Sequence, residues 1–155
     1  MSTDSPDSLQ NRLREDVKDA MRARDRVRVS TLRMARAAIQ RRELDRRESL
    51  DDAGVQEVLQ GLIKQRREAA TQYEKAGRAD LAEKETAEIA FIRAYLPEPM
   101  SEAETADLID QVLKDVAASS LGDMGRVMAE IRRRGAGRAD MGSVSGAVRS
   151  RLRQS

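Results

Sequence analysis

Arginine is the side chain with the greatest chemical potential in this sequence. Of its 29 basic residues 24 are arginine, and residues 120–155 hold eight of them against three acidic residues. A guanidinium binds phosphate through a planar fork, and local positive charge attracts nucleic acid. The candidate phosphate contacts are therefore Arg126, Arg132, Arg133, Arg134, Arg138, Arg149, Arg151 and Arg153. Arg132–Arg134 fall on three faces of a helix, so at most two of them can reach one ligand.

The residues that most often catalyse reactions are missing. There is no Cys and no His, which excludes thiolate metal sites, thiol nucleophiles and Ser/His pairs. Carboxylates are abundant, but groups such as Glu83/Glu85/Glu88 and Asp107/Asp110 lie among other charges on helix faces, which favours solvation. No D-x-D loop supports a magnesium site. The sequence therefore predicts no catalytic residue, no metal ligand and no cofactor.

A glycine-rich stretch, Gly135–Asp140, has two interpretations. Free amides at a helix start can bind an anion. However, no strand precedes the stretch, no complete phosphate-loop motif is present, and Asp140 would itself occupy those amides. A turn between two helices is the favoured interpretation.

Exposed rings for stacking nucleic-acid bases are not expected. Tyr73, Phe91 and Tyr95 lie at or near helical core spacing, and Met124 and Met128 form an i, i+4 pair that also favours the core. Any contact with nucleic acid would depend on arginine, backbone and shape, without DNA sequence specificity.

The elements that must position these residues are predicted to be helices, because apolar residues recur every three or four positions. A first helix follows Leu9, Leu13, Val17 and Met21, and a second runs from about Arg26 to Glu48. The turn at 49–52 begins a third helix, over 55–76. Asp80 with Glu83 is a capping-box candidate for the fourth. After the prolines, helices are predicted from Ser101, around 124–134, and from Asp140.

The composition predicts an all-α protein, with an N-terminal four-helix domain followed by a small three-helix C-terminal domain. The boundaries are a disordered stretch at 1–7, a domain at 8–96, a proline linker at 97–100 and a second domain at 101–155. No apolar run reaches membrane length, and the acidic N-terminus is unlike a secretory signal. We therefore expect a cytoplasmic protein that does not insert into a membrane.

Several short motifs together resemble the GatB/YqeY-like family, in order and in spacing. They are Arg33-Met34, 64–67, 73–81, 95–97, 123–128 and 137–140. The resemblance implies a helical domain joined to a tail similar to the C-terminal tail of the B subunit of glutamine-dependent tRNA amidotransferase. That tail helps to hold tRNA, and related modules occur in some glutaminyl-tRNA synthetases. Met124, Gly125 and Met128 match the first tail motif, and Gly137, Arg138 and Asp140 match the second.

Three functions follow as expectations. The first is a non-catalytic, tRNA-associated module of translation that grips folded tRNA by phosphate and shape. The second is an adaptor whose long third helix and acidic segment 101–119 dock a protein partner, such as an amidotransferase or an aminoacyl-tRNA synthetase. The third is a carbon–nitrogen ligase activity with glutamine as amide donor, inherited from the larger enzyme. The chain has neither the length nor the residues for the glutaminase and ATP-binding parts of that enzyme.

Overall fold

The computed structural model describes residues 5–154, and this part of the chain contains seven α-helices and no strand. The helices are α1 (Leu9–Arg22), α2 (Arg26–Arg46), α3 (Asp52–Lys75), α4 (Ala79–Arg93), α5 (Glu102–Asp115), α6 (Met124–Gly135) and α7 (Met141–Arg153). A 3-10 turn, Leu121–Asp123, precedes α6. The all-α prediction is confirmed. None of the helices in the described range is long and apolar enough to span a membrane.

The chain divides into two compact units, Met1–Leu96 and Pro97–Ser155, here called unit 1 and unit 2. Disorder was expected at 1–7, and residues 1–4 of that stretch lie outside the described residues. Residues 5–7 form a turn ahead of α1, in which the Ser8 N–H donates to the Ser5 carbonyl at 3.0 Å.

Short polar side chains begin five of the helices. Each accepts a hydrogen bond, at 2.9–3.1 Å, from a backbone N–H two or three positions further on. These N-caps satisfy donors that the first turn of a helix leaves free. They are Ser8, Asp25, Asp51, Ser101 and Asp140. The predicted caps at 49–52, Ser101 and Asp140 are thereby confirmed.

The predicted cap of α4 is wrong. The helix begins at Ala79, so Asp80 lies inside its first turn, where its side chain accepts from Arg78 at 3.2 Å. Gly77, with φ of +72°, ends the preceding turn in the left-handed conformation that glycine tolerates. Because the chain re-enters helix so soon after Gly77, Asp80 interacts with the helix dipole and the Arg78 guanidinium instead of capping.

Unit 1 has one apolar core to which all four of its helices, or the residues just after them, contribute. It includes Leu13, Leu32, Leu59 and Ile92, each at most 1% exposed. Met21, expected on the buried stripe of α1, is 52% exposed, while Ala20 is fully buried. The stripe drifts by about 40° at each four-residue step, so by the third step it has turned away from the core.

Unit 2 has a smaller core built from α5, α6 and α7. Its fully buried residues are aliphatic and of modest size: Val112, Val127, Ile131, Val144 and Val148. Met124 and Met128 pack against this cluster, as their spacing predicted. No aromatic residue occurs in the sequence of this unit. A core of this size supports only marginal stability, so contacts outside it carry more weight.

Candidate nucleic-acid interface

The acidic helix α5 lies against the arginines that were predicted to bind phosphate. Three carboxylates of α5 pair with arginines of the later elements: Glu104 with Arg138, Asp110 with Arg151, and Asp115 with Arg134. Unit 2 contains nine basic and nine acidic residues over 97–155. The positive charge of its last 36 residues is therefore balanced within the unit, and the arginines must be judged one at a time.

Arg138 joins the start of unit 2 to the loop before α7. Its Nε donates to the Glu98 carbonyl at 2.8 Å, and its Nη2 donates to Glu104 at 3.0 Å. Its own carbonyl accepts from the Met100 N–H at 3.0 Å. The pKa of Glu104 is lowered first by the Ser101 N–H and then by Arg138. These bonds give Arg138 an intramolecular role that sequence spacing did not reveal.

Arg134 links α6 to α5. Its guanidinium donates to Asp115 at 2.7 Å and to Glu130 at 2.8 Å, and its side chain is only 28% exposed. The hydrogen bond to Asp115 contributes most to raising the Arg134 pKa, and the same contact lowers the pKa of Asp115. A phosphate ligand would have to displace two carboxylates to reach this side chain, so Arg134 is poorly placed for binding.

Arg126 and Arg133 lie seven residues apart on α6 and therefore share a face. Each pairs with a carboxylate three residues earlier, Arg126 with Asp123 at 2.7 Å and Arg133 with Glu130. Both arginines are well exposed, at 60% and 70%. Exposed pairs of this kind contribute little to stability. A phosphate group can therefore compete for these two arginines, and the carboxylates would keep other donors: the Ser119 and Ser120 N–H groups for Asp123, and Arg134 for Glu130.

Arg149 and Arg153 are the candidates that the fold leaves most accessible. They lie one turn apart on α7, away from the face that buries Val144 and Val148, and both are exposed. Residues 141–155 include no Asp or Glu, and within 5–154 neither arginine makes an ion pair. The structure thus brings Arg149 and Arg153 together on one face. Arg151, between them, points to Asp110, and Arg132 is exposed on α6.

The tail motifs take mainly structural positions. Asp140 caps α7 by accepting from the Gly142 N–H and the Ser143 hydroxyl, and Gly137 has φ of +82°. The turn interpretation of Gly135–Asp140 is confirmed, and the Gly142 N–H at the start of α7 already has the Asp140 carboxylate as its acceptor. Gly125 differs, because a Cβ there would meet nothing within 4 Å.

Sequence reasoning missed a buried ion pair in unit 1. The Arg66 Nε donates to Glu88 Oε2 at 3.0 Å, and both side chains are nearly buried, at 7% and 11% exposure. The other guanidinium nitrogens donate to the Leu62 carbonyl at 3.2 Å and to the Met34 Sδ at 3.0 Å. The prediction that Glu88 is solvated is wrong. The position of each residue on its helix could have revealed the pair. Arg66 occupies a position of α3 where the pattern expects an apolar residue, and Glu88 precedes the buried Ile92 by one turn.

Tyr95 closes unit 1 after α4. It is 5% exposed, which confirms the core prediction, and its hydroxyl donates a short hydrogen bond to Asp16 of α1. The Arg12 guanidinium lies 5.2 Å from the ring centroid. Burial, and then the Asp16 carboxylate, raise the pKa of the Tyr95 hydroxyl and keep it protonated. Tyr73 and Phe91 are only partly buried.

Metal chemistry finds no support in the arrangement of carboxylates. Among residues 5–154, no group of three or more carboxylates is placed to hold a metal ion. What the described side chains can do is bind anions through arginine.

Comparison with known proteins gives relatives in fungi. The chain is 37% identical over 94 residues to "Altered inheritance of mitochondria protein 41, mitochondrial" of Eremothecium gossypii, covering 59% of this chain and 51% of the relative. The protein of the same name in Lachancea thermotolerans is 34% identical over 117 residues, 74% of this chain and 62% of the relative. The protein of the same name in Pyrenophora tritici-repentis is 30% identical over 139 residues, which cover 86% of this chain and 77% of the relative. The chain thus spans about half to three-fifths of the first two.

The expected cytoplasmic location is contradicted by these names, which describe the relatives as mitochondrial proteins. The expectation rested on the lack of a secretory signal and of a membrane-length apolar run. Neither feature distinguishes the cytoplasm from the interior of a mitochondrion, since a protein dissolved in either compartment has the same surface chemistry.

The family described as "Yqey-like protein" matches residues 10–152. This range includes every helix except the ends of α1 and α7. It also includes the motifs that suggested the resemblance, of which Met34 and Arg66 now prove to be in contact. The chain therefore belongs to the Yqey-like protein family.

Proposed function

We propose that this protein is a non-catalytic, tRNA-associated module whose C-terminal unit contacts folded tRNA through phosphate and shape. The observation that carries the proposal is the pair Arg149 and Arg153, one turn apart on an acid-free face of α7. Arginines without a carboxylate partner gain the most from a phosphate, because no intramolecular ion pair has to be broken first.

Arg126 and Arg133 form a second pair of contacts in this proposal. Both arginines are well exposed, at 60% and 70%, so solvent and phosphate can compete with Asp123 and Glu130 for their guanidinium groups. Arg134 and Arg138 are left out of the contact set because they connect elements of unit 2. The open space above Gly125, in the first turn of α6 beside Arg126, also suits close approach of a ligand.

The proposal includes the finer division of the fold. We propose that 8–96 forms a four-helix domain and that 101–155 forms a three-helix domain, each with its own core. Residues 97–100 would join them, held at one end because Arg138 donates to the Glu98 carbonyl and its own carbonyl accepts from the Met100 N–H.

The test is binding of labelled tRNA by fluorescence anisotropy across a salt series. The variant R149A/R153A should bind more weakly and lower the slope of log affinity against log salt by about two, which is about one for each phosphate that is no longer neutralised. The control K18A/R41A removes the same charge from exposed positions of α1 and α2 and should leave the slope unchanged. An equal loss in both variants would show a general charge effect and contradict the proposed site.

A second candidate function is a protein-interaction adaptor that docks its partner on a surface other than α3. The apolar face of α3 is packed in the core through Val55, Leu59 and Ile63, so that helix has no free apolar face. Exposed apolar side chains lie instead on α1 and α2, among them Met21 and Leu44, which is 78% exposed. A partner such as an amidotransferase or a synthetase would then dock on unit 1.

The two candidate functions predict different co-purifying material when the cell extract is treated with nuclease. An adaptor retains a defined protein partner in nuclease-treated extract and loses it in M21S/L44S, whereas a tRNA module loses its co-purifying material. A glutamine-dependent carbon–nitrogen ligase activity gains no supporting residue from the described part of the chain.

A further inference from the structure

A polar cleft lies between α1 and α2. One hydrogen bond shows which residues of the two helices lie opposite each other. The Gln10 Nε2 donates to Glu43 Oε2 at 3.1 Å. The two helices are joined by a three-residue turn and run antiparallel, so each step forward on α1 is a step back on α2. Arg14, one turn after Gln10, therefore lies opposite Gln40 and Arg36.

The exposed lining of the cleft is mostly polar. Its volume is about 190 Å³, and the buried side chains of Leu13 and Ile39 line its base. The polar side chains around it are Gln10 and Arg14 from α1, and Arg36, Gln40 and Glu43 from α2.

The two arginines of the cleft have no carboxylate partner among the described residues. Within residues 5–154, Arg14 donates only to the neutral side chain of Asn11, at 3.3 Å. In the same range Arg36 makes neither a hydrogen bond nor an ion pair. In unit 2, by contrast, at least five of the candidate arginines are paired with Asp or Glu. Two like charges that share a cleft repel each other, and an anion between them removes that repulsion.

Glu43 is the one acidic group among the side chains that line the cleft, and it is already engaged. Its Oε2 accepts from Gln10 at 3.1 Å and from the Leu50 N–H at 2.9 Å, and Gln10 also donates to the Leu50 carbonyl. These bonds hold the carboxylate at the end of the cleft where the chain turns into α3. The opposite end keeps the two guanidinium groups and the Gln40 amide.

We propose that this cleft binds a phosphate group, held between the guanidinium groups of Arg14 and Arg36 with the Gln40 amide as an additional donor. Guanidinium forks match the oxygens of a phosphate, and the volume accommodates one such group with its first substituent. The site does not depend on tRNA binding by α7, because its residues all belong to unit 1. The phosphate is either a terminal monoester or a backbone diester, which share this chemistry.

The experiment is isothermal titration calorimetry on the full chain at constant ionic strength. Its probes are inorganic phosphate, adenosine 5′-monophosphate and the dinucleoside monophosphate ApA. Inorganic phosphate should bind the wild type and bind R14A/R36A at least about tenfold more weakly, since two charged hydrogen-bond donors are removed. If adenosine 5′-monophosphate binds more tightly than ApA, the ligand is a terminal monoester. If ApA binds as tightly as adenosine 5′-monophosphate or more tightly, the ligand is a backbone diester.

The control is K18A/R41A, which removes two exposed charges from the same helices outside the cleft and should retain phosphate binding. R14K/R36K keeps the charge without the fork and should bind with intermediate affinity. Tyrosine fluorescence, which reports on unit 1 alone, checks that each variant is folded. The proposal is overturned if none of the three probes binds the wild type, or if the control loses phosphate binding as fully as R14A/R36A.

Discussion

Units 1 and 2 differ in where they place their strongest ion pairs. Unit 1 buries an ion pair between Arg66 of α3 and Glu88 of α4. At its surface Arg36 has no carboxylate partner among residues 5–154. Unit 2 buries only aliphatic side chains and uses its arginines for surface bonds between elements, as with Arg134 and Arg138. The difference teaches that arginine content alone does not locate an anion site. Unit 2 itself contains both kinds: Arg134 and Arg138 connect its elements, whereas Arg149 and Arg153 are exposed without an ion pair among residues 5–154.

The largest effect is expected from breaking the buried ion pair between Arg66 and Glu88. Glu88→Ala leaves the Arg66 guanidinium buried without its charge partner, which is expected to lower the free energy of unfolding by about 3–5 kcal/mol. Urea titration followed by tyrosine fluorescence measures this in unit 1, because both tyrosines lie there. R66M/E88M, which removes both charges, should be clearly more stable than Glu88→Ala. If the single variant were destabilised no more than by the loss of an exposed pair, burial of the pair would have no energetic consequence.

A smaller effect is expected from the close packing of unit 2. Gly135 is buried, and a Cβ placed there would lie 2.9 Å from the Ala139 Cβ. Gly135→Ala is therefore expected to cost about 1–3 kcal/mol of stability through overpacking. Far-UV circular dichroism during thermal unfolding detects the loss.

Gly125→Ala is the matched control, because a Cβ there meets nothing within 4 Å. It should stabilise α6 by up to about 1 kcal/mol, as alanine favours helix over glycine. Equal destabilisation by the two substitutions would contradict the packing argument.

Acid should destabilise unit 2 through its surface carboxylates. The Ser119 N–H, followed by Arg126, lowers the pKa of Asp123 to about 2, and Arg133 with Arg134 lowers that of Glu130 to about 2. Unfolded Asp and Glu titrate near about 4. The stabilisation is therefore present above about pH 4 and is lost as the pH falls from about 4 to about 2. The Tm of Asp123→Asn should depend less on pH over that window than the Tm of the wild type. Parallel curves would contradict this assignment.

The smallest effects separate connecting pairs from local ones. Arg134→Ala breaks bonds between α5 and α6 and should lower the stability of unit 2 by up to about 1 kcal/mol. Arg22→Ala in unit 1 removes an exposed pair with Asp19, at 74% and 60% exposure, and should change stability by less than about 0.5 kcal/mol. Urea titration of both variants makes the comparison. An effect of Arg22→Ala as large as that of Arg134→Ala would remove the distinction between the two units.

The sequence by itself determined the helices and most of their ends. Apolar spacing predicts the α-helical period, and Ser101 and Asp140 cap their helices through bonds that span only a few residues. Such features depend on local geometry, which the order of residues defines directly. The exceptions have local reasons too: Met21 drifted off the buried stripe, and Asp80 interacts with Arg78 rather than capping.

Only the tertiary structure decided which charges are available. Arg138 meets Glu104 across 34 positions, Arg66 meets Glu88 across 22, and the Tyr95 hydroxyl meets Asp16 across 79. An arginine bound to a carboxylate and an arginine facing solvent look alike in a sequence, because their difference is a distance set by helix packing. The sequence therefore identified arginine as the chemistry of this protein, and the packing of the helices selected which arginines remain free to bind a phosphate.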